Sequence, residues 1–187
     1  MNICIKKGQR GFSLVETLVA ITILLIAVLA PMRIASQSIK SAGFAREQLT
    51  AVFLAQEGIE MIVRARDADA LNGGSTWSWY TSLLAACKNS GQGCSYNPTN
   101  GAFVSCATIA TCRLYLDTTG GTSGVYYTHT QGALPASPYT RVVKVLQGET
   151  LGVNEVNVQS VVSWYSTMFA TTTSVTLRTR ILDQYED

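Results

Sequence analysis

The 187 residues give room for one compact domain and an extended element, while two full domains would be crowded. Charged residues make up only 14% of the chain and the formal net charge is +2. That balance excludes a strongly basic nucleic-acid-binding surface, and the abundance of Ser, Thr, Gly and Asn after residue 70 suits an exported, β-rich domain better than a cytosolic enzyme.

The first element is the stretch Phe12 to Met32, FSLVETLVAITILLIAVLAPM, apolar apart from Glu16 and a few hydroxyl residues. As a helix it would be about 31 Å long, enough to span a bilayer. Lys6, Lys7 and Arg10 precede it, which by the positive-inside rule keeps the N-terminus cytoplasmic and sends the remainder outward. Three readings compete. A secretory signal peptide has the same basic and apolar regions, but a carboxylate at Glu16 would cost about 2.5–3.5 kcal/mol at the bilayer centre with nothing gained. Its small-residue cleavage site at Val28-Leu29-Ala30 would also place Pro31 directly after the cut. A plain single-pass anchor differs only in having no use for Glu16.

The third reading rests on Gly11-Phe12-Ser13-Leu14-Val15-Glu16, GFSLVE, between a short basic leader and a long apolar run. This segment resembles the prepilin signal of the type IV pilin-like family, which includes minor pilins and type II secretion pseudopilins. The resemblance implies that a membrane aspartyl prepilin peptidase cuts between Gly11 and Phe12, that Phe12 is N-methylated, and that Glu16 serves assembly. It further implies an inner-membrane, single-pass intermediate held by membrane lipid, an assembly platform in that membrane, and other pilin or pseudopilin subunits as partners. Removing the three leader cations from 14 leaves 11 against 12 acidic residues, a nearly neutral product. The cut would also remove Cys4 and leave an even set of four cysteines.

The physical chemistry of Glu16 accounts for its place. Cleavage creates a positive amine on Phe12 while Glu16 lies one helical turn deeper without a counter-charge. In a stack of parallel helices offset by about one turn, the two become a pair at low dielectric, and the pair sets subunit registry.

From Arg33 to about Leu71 an amphipathic helix is expected, with Ile34, Ile39, Leu49, Val52, Phe53, Ile59, Ile62 and Val63 recurring mainly at steps of three and four. Pro31 and Gly43 are its expected weak points, where a kink or local melting should occur. The run Phe53 to Glu60, FLAQEGIE, is similar to the corresponding part of minor pilins and pseudopilins. Leu71-Asn72-Gly73-Gly74-Ser75 reads as a helix stop.

The head, residues 72–187, begins with Trp77-Ser78-Trp79-Tyr80, read as packing between loop and core in preference to a carbohydrate platform. Cys87, Cys94, Cys106 and Cys112 follow in a loop-like region. Their spacings favour two local disulfide loops, Cys87 with Cys94 and Cys106 with Cys112, over a metal site, which would need closer ligands and a second histidine beside His129. Strands are predicted at Arg113 to Leu116, Tyr139 to Leu146, Asn154 to Tyr165 and Ser174 to Leu182. The last three suggest an antiparallel meander with Val156, Val158 and Val161 on one face.

The predicted fold class is therefore α+β: a long N-terminal helix, transmembrane in its first half and amphipathic in its second, packed on an antiparallel sheet. No cofactor, catalytic residue or metal is expected. Asp67 and Asp69, and Asp183, Glu186 and Asp187, read as solvated ends or caps, calcium being conceivable at the first pair. His129 reads as a surface histidine in a loop. The function expected is a structural minor pilin or pseudopilin subunit of a filament serving adhesion, motility, DNA uptake or secretion. The alternative is a membrane-tethered surface binding protein, adhesin or receptor, that is exported by the same signal without assembling.

Overall fold

A computed structural model describes residues 11, 13–74, 78–89, 93–97, 101–118, 125–129, 131–132, 134–146, 155–166 and 168–182. Phe12, the leader with Cys4, Trp77 and the acidic tail with Asp183, Glu186 and Asp187 lie outside the described residues. The chain divides into two compact units, the first ending at Gly43 and the second beginning at Phe44.

The first unit is helical. Helix α1 runs over Leu14–Leu71 and contributes to both units, with Pro31 inside it. The local melting expected at Pro31 or Gly43 does not occur, since helical hydrogen bonding runs through both. Proline withdraws a single N–H from the helical ladder, and the bonds of the turns on either side hold the segment together. Its few hydroxyls bond back onto the helix itself: Thr17 donates to the Leu14 carbonyl at 2.8 Å, Thr22 to Val19 at 2.8 Å and Ser36 to Met32 at 3.0 Å. Polar side chains satisfied in this way are compatible with a hydrocarbon surrounding. The large apolar side chains from Leu14 to Met32 are all exposed.

The second unit is built on a sheet of seven strands among the described residues: β1 (Cys94–Asn97), β2 (Ala102–Ser105), β3 (Arg113–Asp117), β4 (Tyr126–Thr128), β5 (Ala136–Leu146), β6 (Glu155–Ser166) and β7 (Thr171–Leu182). Strand β5 is its axis. One edge pairs with β6 from Tyr139↔Trp164 to Leu146↔Asn157, and β6 pairs in turn with β7. The other edge is shared, β3 taking the half around Ala136 and Thr140 and β1 the half at Val143. The meander β5-β6-β7 matches expectation, since alternating β-branched residues suit a sheet with one covered face.

Three short strands, β1, β2 and β4, were not legible as strands. The cysteine-bearing segment, expected to be a loop, instead contains the β1-β2 hairpin and a short helix α2 (Ala85–Asn89). Cys87 on α2 is bonded to Cys94 at the start of β1, and Cys106 after β2 to Cys112 before β3. Both bridges span Cα separations, 4.6 and 5.6 Å, that suit a disulfide. Trp79 and Tyr80 are buried in the core with Leu84, Val143, Val156 and Val158, so these aromatics fix the segment after α1 to the sheet. Val161 is not on their face. Burial alternates through Val156, Val158, Ser160, Val162 and Trp164, and Val161 falls on the other side of the strand by parity.

Helix α1 buries Ala51, Leu54, Ala55, Gly58 and Ile62, a single stripe of small and apolar residues, against this face. Gly58 is the point of closest approach. A Cβ there would stand 2.5 Å from Ser160 Oγ, 3.1 Å from Val143 Cγ2 and 3.2 Å from Arg141 Cδ. Glycine in a helix interior costs about 1 kcal/mol relative to alanine, and here that cost is offset by helix-to-sheet contact that any side chain would prevent. The Gly58→Ala protein should be less stable by roughly 1 kcal/mol and Gly58→Leu by about 3 kcal/mol in urea unfolding. Adding Ser160→Ala, which deletes a buried hydroxyl without a hydrogen-bond partner among the described residues, should recover most of the alanine loss but little of the leucine loss.

Candidate processing site and helix–sheet lock

Gly11 is exposed, and a Cβ built on it would meet nothing within 4 Å. The fold therefore gives no steric reason for glycine at this position. Glu16 lies in the first turn of α1 and is exposed like its apolar neighbours. Phe12, between them, is outside the described residues. Helix α1 is the one helix among the described residues long and apolar enough to cross a membrane, with a mean hydropathy of 2.4 over its most apolar stretch. An acidic side chain on such a surface is costly unless a counter-charge meets it.

A second group of functional side chains, which sequence reasoning missed, joins α1 to the sheet. Arg141 lies on the inward face of β5, and its side chain is only 1% exposed. Its guanidinium donates to Glu57 Oε2 at 2.7 Å and to the Leu54 carbonyl at 3.2 Å, and approaches Met61 Sδ at 3.5 Å. Burial pushes the guanidinium down from its usual range and the Glu57 carboxylate opposes that shift. Nearly three turns further toward the N-terminus, Glu47 makes a similar tie. Its carboxylate accepts from Trp164 Nε1 at 3.1 Å and its carbonyl from the Tyr139 hydroxyl at 3.3 Å. At the other end Arg66 donates to the Leu182 carbonyl at 3.1 Å. The run Leu54-Ala55-Gln56-Glu57-Gly58-Ile59 thus supplies a carbonyl, a carboxylate and a close approach to the same patch of β5 and β6. Parity could have placed Arg141 inward, since Tyr139, Val143 and Val145 share its face.

One further reading changes. His129 is not a surface residue: it is half-buried at the end of β4, and both ring nitrogens are shielded without a hydrogen-bond partner among the described residues. Asp67 is exposed, as expected, and ion-paired with the adjacent Arg66 at 2.7 Å, while Asp69 accepts from the Ser78 hydroxyl. Among the described residues no group of His, Cys, Asp and Glu is arranged to hold a metal ion.

An apolar N-terminal helix and an antiparallel sheet against the helix's second half make an α+β arrangement consistent with the pilin fold. Comparison with known proteins supports that class. Residues 6–30 match the family model described as the prokaryotic N-terminal methylation motif. The chain is also 28% identical over 89 residues to "Type II secretion system protein I" of Vibrio cholerae serotype O1, a match covering 44% of this chain and 76% of that relative. No solved structure matches the chain. Both matches point to structural pilin-like proteins, not to enzymes.

The lock is asymmetric, and the asymmetry is measurable. Glu57 is 42% exposed and can be solvated alone, whereas Arg141 cannot. Glu57→Ala should therefore cost about 2–3 kcal/mol in urea unfolding, while Arg141→Met, which replaces the cation by an apolar chain, should cost under about 1 kcal/mol.

Burial, followed by the positive charge of Arg141, lowers the His129 pKa from 6.5 to about 3, with the Arg113 backbone opposing weakly. Between those values the unfolded chain binds a proton that the folded chain refuses, so stability is full above pH 6.5 and declines as the pH falls toward 3. The decline attributable to this residue should reach on the order of 3–5 kcal/mol at the acid end. It would be read as the difference between the parent and His129→Gln in urea unfolding across that range.

Proposed function

We propose that the chain is made as a precursor cut between Gly11 and Phe12, methylated at the new Phe12 amine, and incorporated as a structural minor pilin or pseudopilin subunit of a type IV pilus or type II secretion-like filament. The observation that carries this reading is the exposed Glu16 carboxylate, five residues after a glycine that the fold does not need and within an apolar helix surface. A charge so placed is explained by a partner in a second copy or a sister subunit. The Phe12 amine of a neighbouring helix offset by one turn supplies it, and two isolated charges become one pair.

The leader cations Lys6, Lys7 and Arg10 favour insertion with the N-terminus in the cytoplasm and the head outside the inner membrane. There the Cys87–Cys94 and Cys106–Cys112 bridges would be stable. The partners in this reading are prepilin peptidase, the assembly platform and other pilin subunits. The relative's name, which refers to type II secretion, favours a secretion-type filament.

Mass spectrometry of protein from the native membrane should find a chain beginning at methylated Phe12, and Gly11→Val should retain the full leader. Glu16→Ala should be cut normally yet be depleted at least about tenfold from sheared filaments, the loss of roughly one ion pair at low dielectric. Undiminished entry of Glu16→Ala into filaments would refute the pairing. Normal processing with no parent protein in sheared filaments would support a tethered, non-assembling surface protein instead.

A further inference from the structure

Strand β7 pairs with β6 through an unbroken register from Glu155↔Leu182 to Ser166↔Thr171, and its other edge is unpaired among the described residues. Long edges of this kind are usually blunted by proline, a bulge or an inward-pointing charge. Strand β7 has none of these. Its sequence, TTTSVTLRTRIL, contains no proline, its register has no shift, and its two charges point outward.

The two faces of the edge differ in chemistry. On the covered face Val175 and Leu177 pack against the core yet stay only partly buried, and Ile59 and Val63 of α1 are likewise incompletely covered. On the outer face Arg178 and Arg180 are exposed and lie opposite Gln159 and Asn157, which carry no charge. Neither arginine is in an ion pair among the described residues. The edge therefore presents backbone donors and acceptors, a partly open apolar shelf beneath, and two cations above, Arg180 with Glu155 as a diagonal neighbour and Arg178 with no acidic neighbour on β6.

We propose that the β7 edge is a docking site for an extended acidic segment of another protein, bound as an added strand. Apolar residues at alternate positions of that segment would cover Val175 and Leu177, and carboxylates between them would face Arg178 and Arg180. A second copy of β7 is a poor occupant. It contains no acidic residue, so self-pairing would gather four arginines without a carboxylate. This site concerns a partner outside the helix-to-helix packing of a filament and does not depend on Glu16 or on assembly.

The test uses the full mature chain in lipid nanodiscs and two fluorescent extended peptides, one alternating valine with glutamate and the other valine with lysine. Anisotropy should show the glutamate peptide binding about tenfold more tightly than the lysine peptide. Hydrogen exchange should slow in β7 on binding. The Arg178→Glu/Arg180→Glu protein, whose substitutions lie on an exposed face, should reverse the preference while its β6 amides stay protected, showing that the sheet is intact. An unchanged preference in that protein, or slowed exchange elsewhere than β7, would overturn the proposal. So would binding that appears only after removal of residues 183–187, since the chain's own acidic tail would then be the occupant.

Discussion

The second unit depends on how closely α1 can approach β5 and β6. Gly58 sets that distance, because without a side chain the helix backbone can rest against Ser160 and Val143. At this separation Glu57 reaches Arg141, the Leu54 carbonyl receives a second hydrogen bond from the same guanidinium, and Ala51, Ala55 and Ile62 are sealed. A larger residue at position 58 would lift the helix and loosen each of these contacts together. The polar ties fix the register of the helix along the sheet, which apolar packing alone leaves poorly defined, since one small residue slides past another at little cost.

Two kinds of staple serve two ends of the sheet. The long strands β5, β6 and β7 hold one another through continuous ladders and need no cross-link. The short strands β1 and β2 pair over only four residues and join β5 at a single position, Cys94↔Val143. Such a hairpin is marginal by itself, and the Cys87–Cys94 bridge, with both sulfurs buried in the core beside Trp79 and Leu84, anchors it.

The functional chemistry is divided along α1. The first unit carries exposed apolar residues and one carboxylate, a surface that requires lipid or other helices around it. The second carries a buried stripe and the ion pair with Arg141. One continuous helix thus presents two different surfaces, and the change of composition after Met32 marks where one gives way to the other.

The sequence by itself determined the N-terminal methylation motif, the apolar helix and the meander. The motif is a linear stretch of chain, so GFSLVE after a basic leader is legible without a fold, and β-branched alternation in VVKVL, NEVNVQSVV and SVTLRTR needs only the two-residue period of a strand. Tertiary structure alone decided the rest. Arg141 and Glu57 are 84 residues apart, and although strand parity points Arg141 inward, nothing local names the carboxylate that meets it. Gly58 looks like a weakness in a helix until the sheet beneath it is seen. His129 looks exposed because its neighbours are polar, and only the fold shields its ring nitrogens. The parity of Val161 and Val162, both apolar, could not be settled from the strand itself. In each case the deciding energy is a contact or a desolvation between segments remote in the chain, which hydrophobic periodicity does not encode.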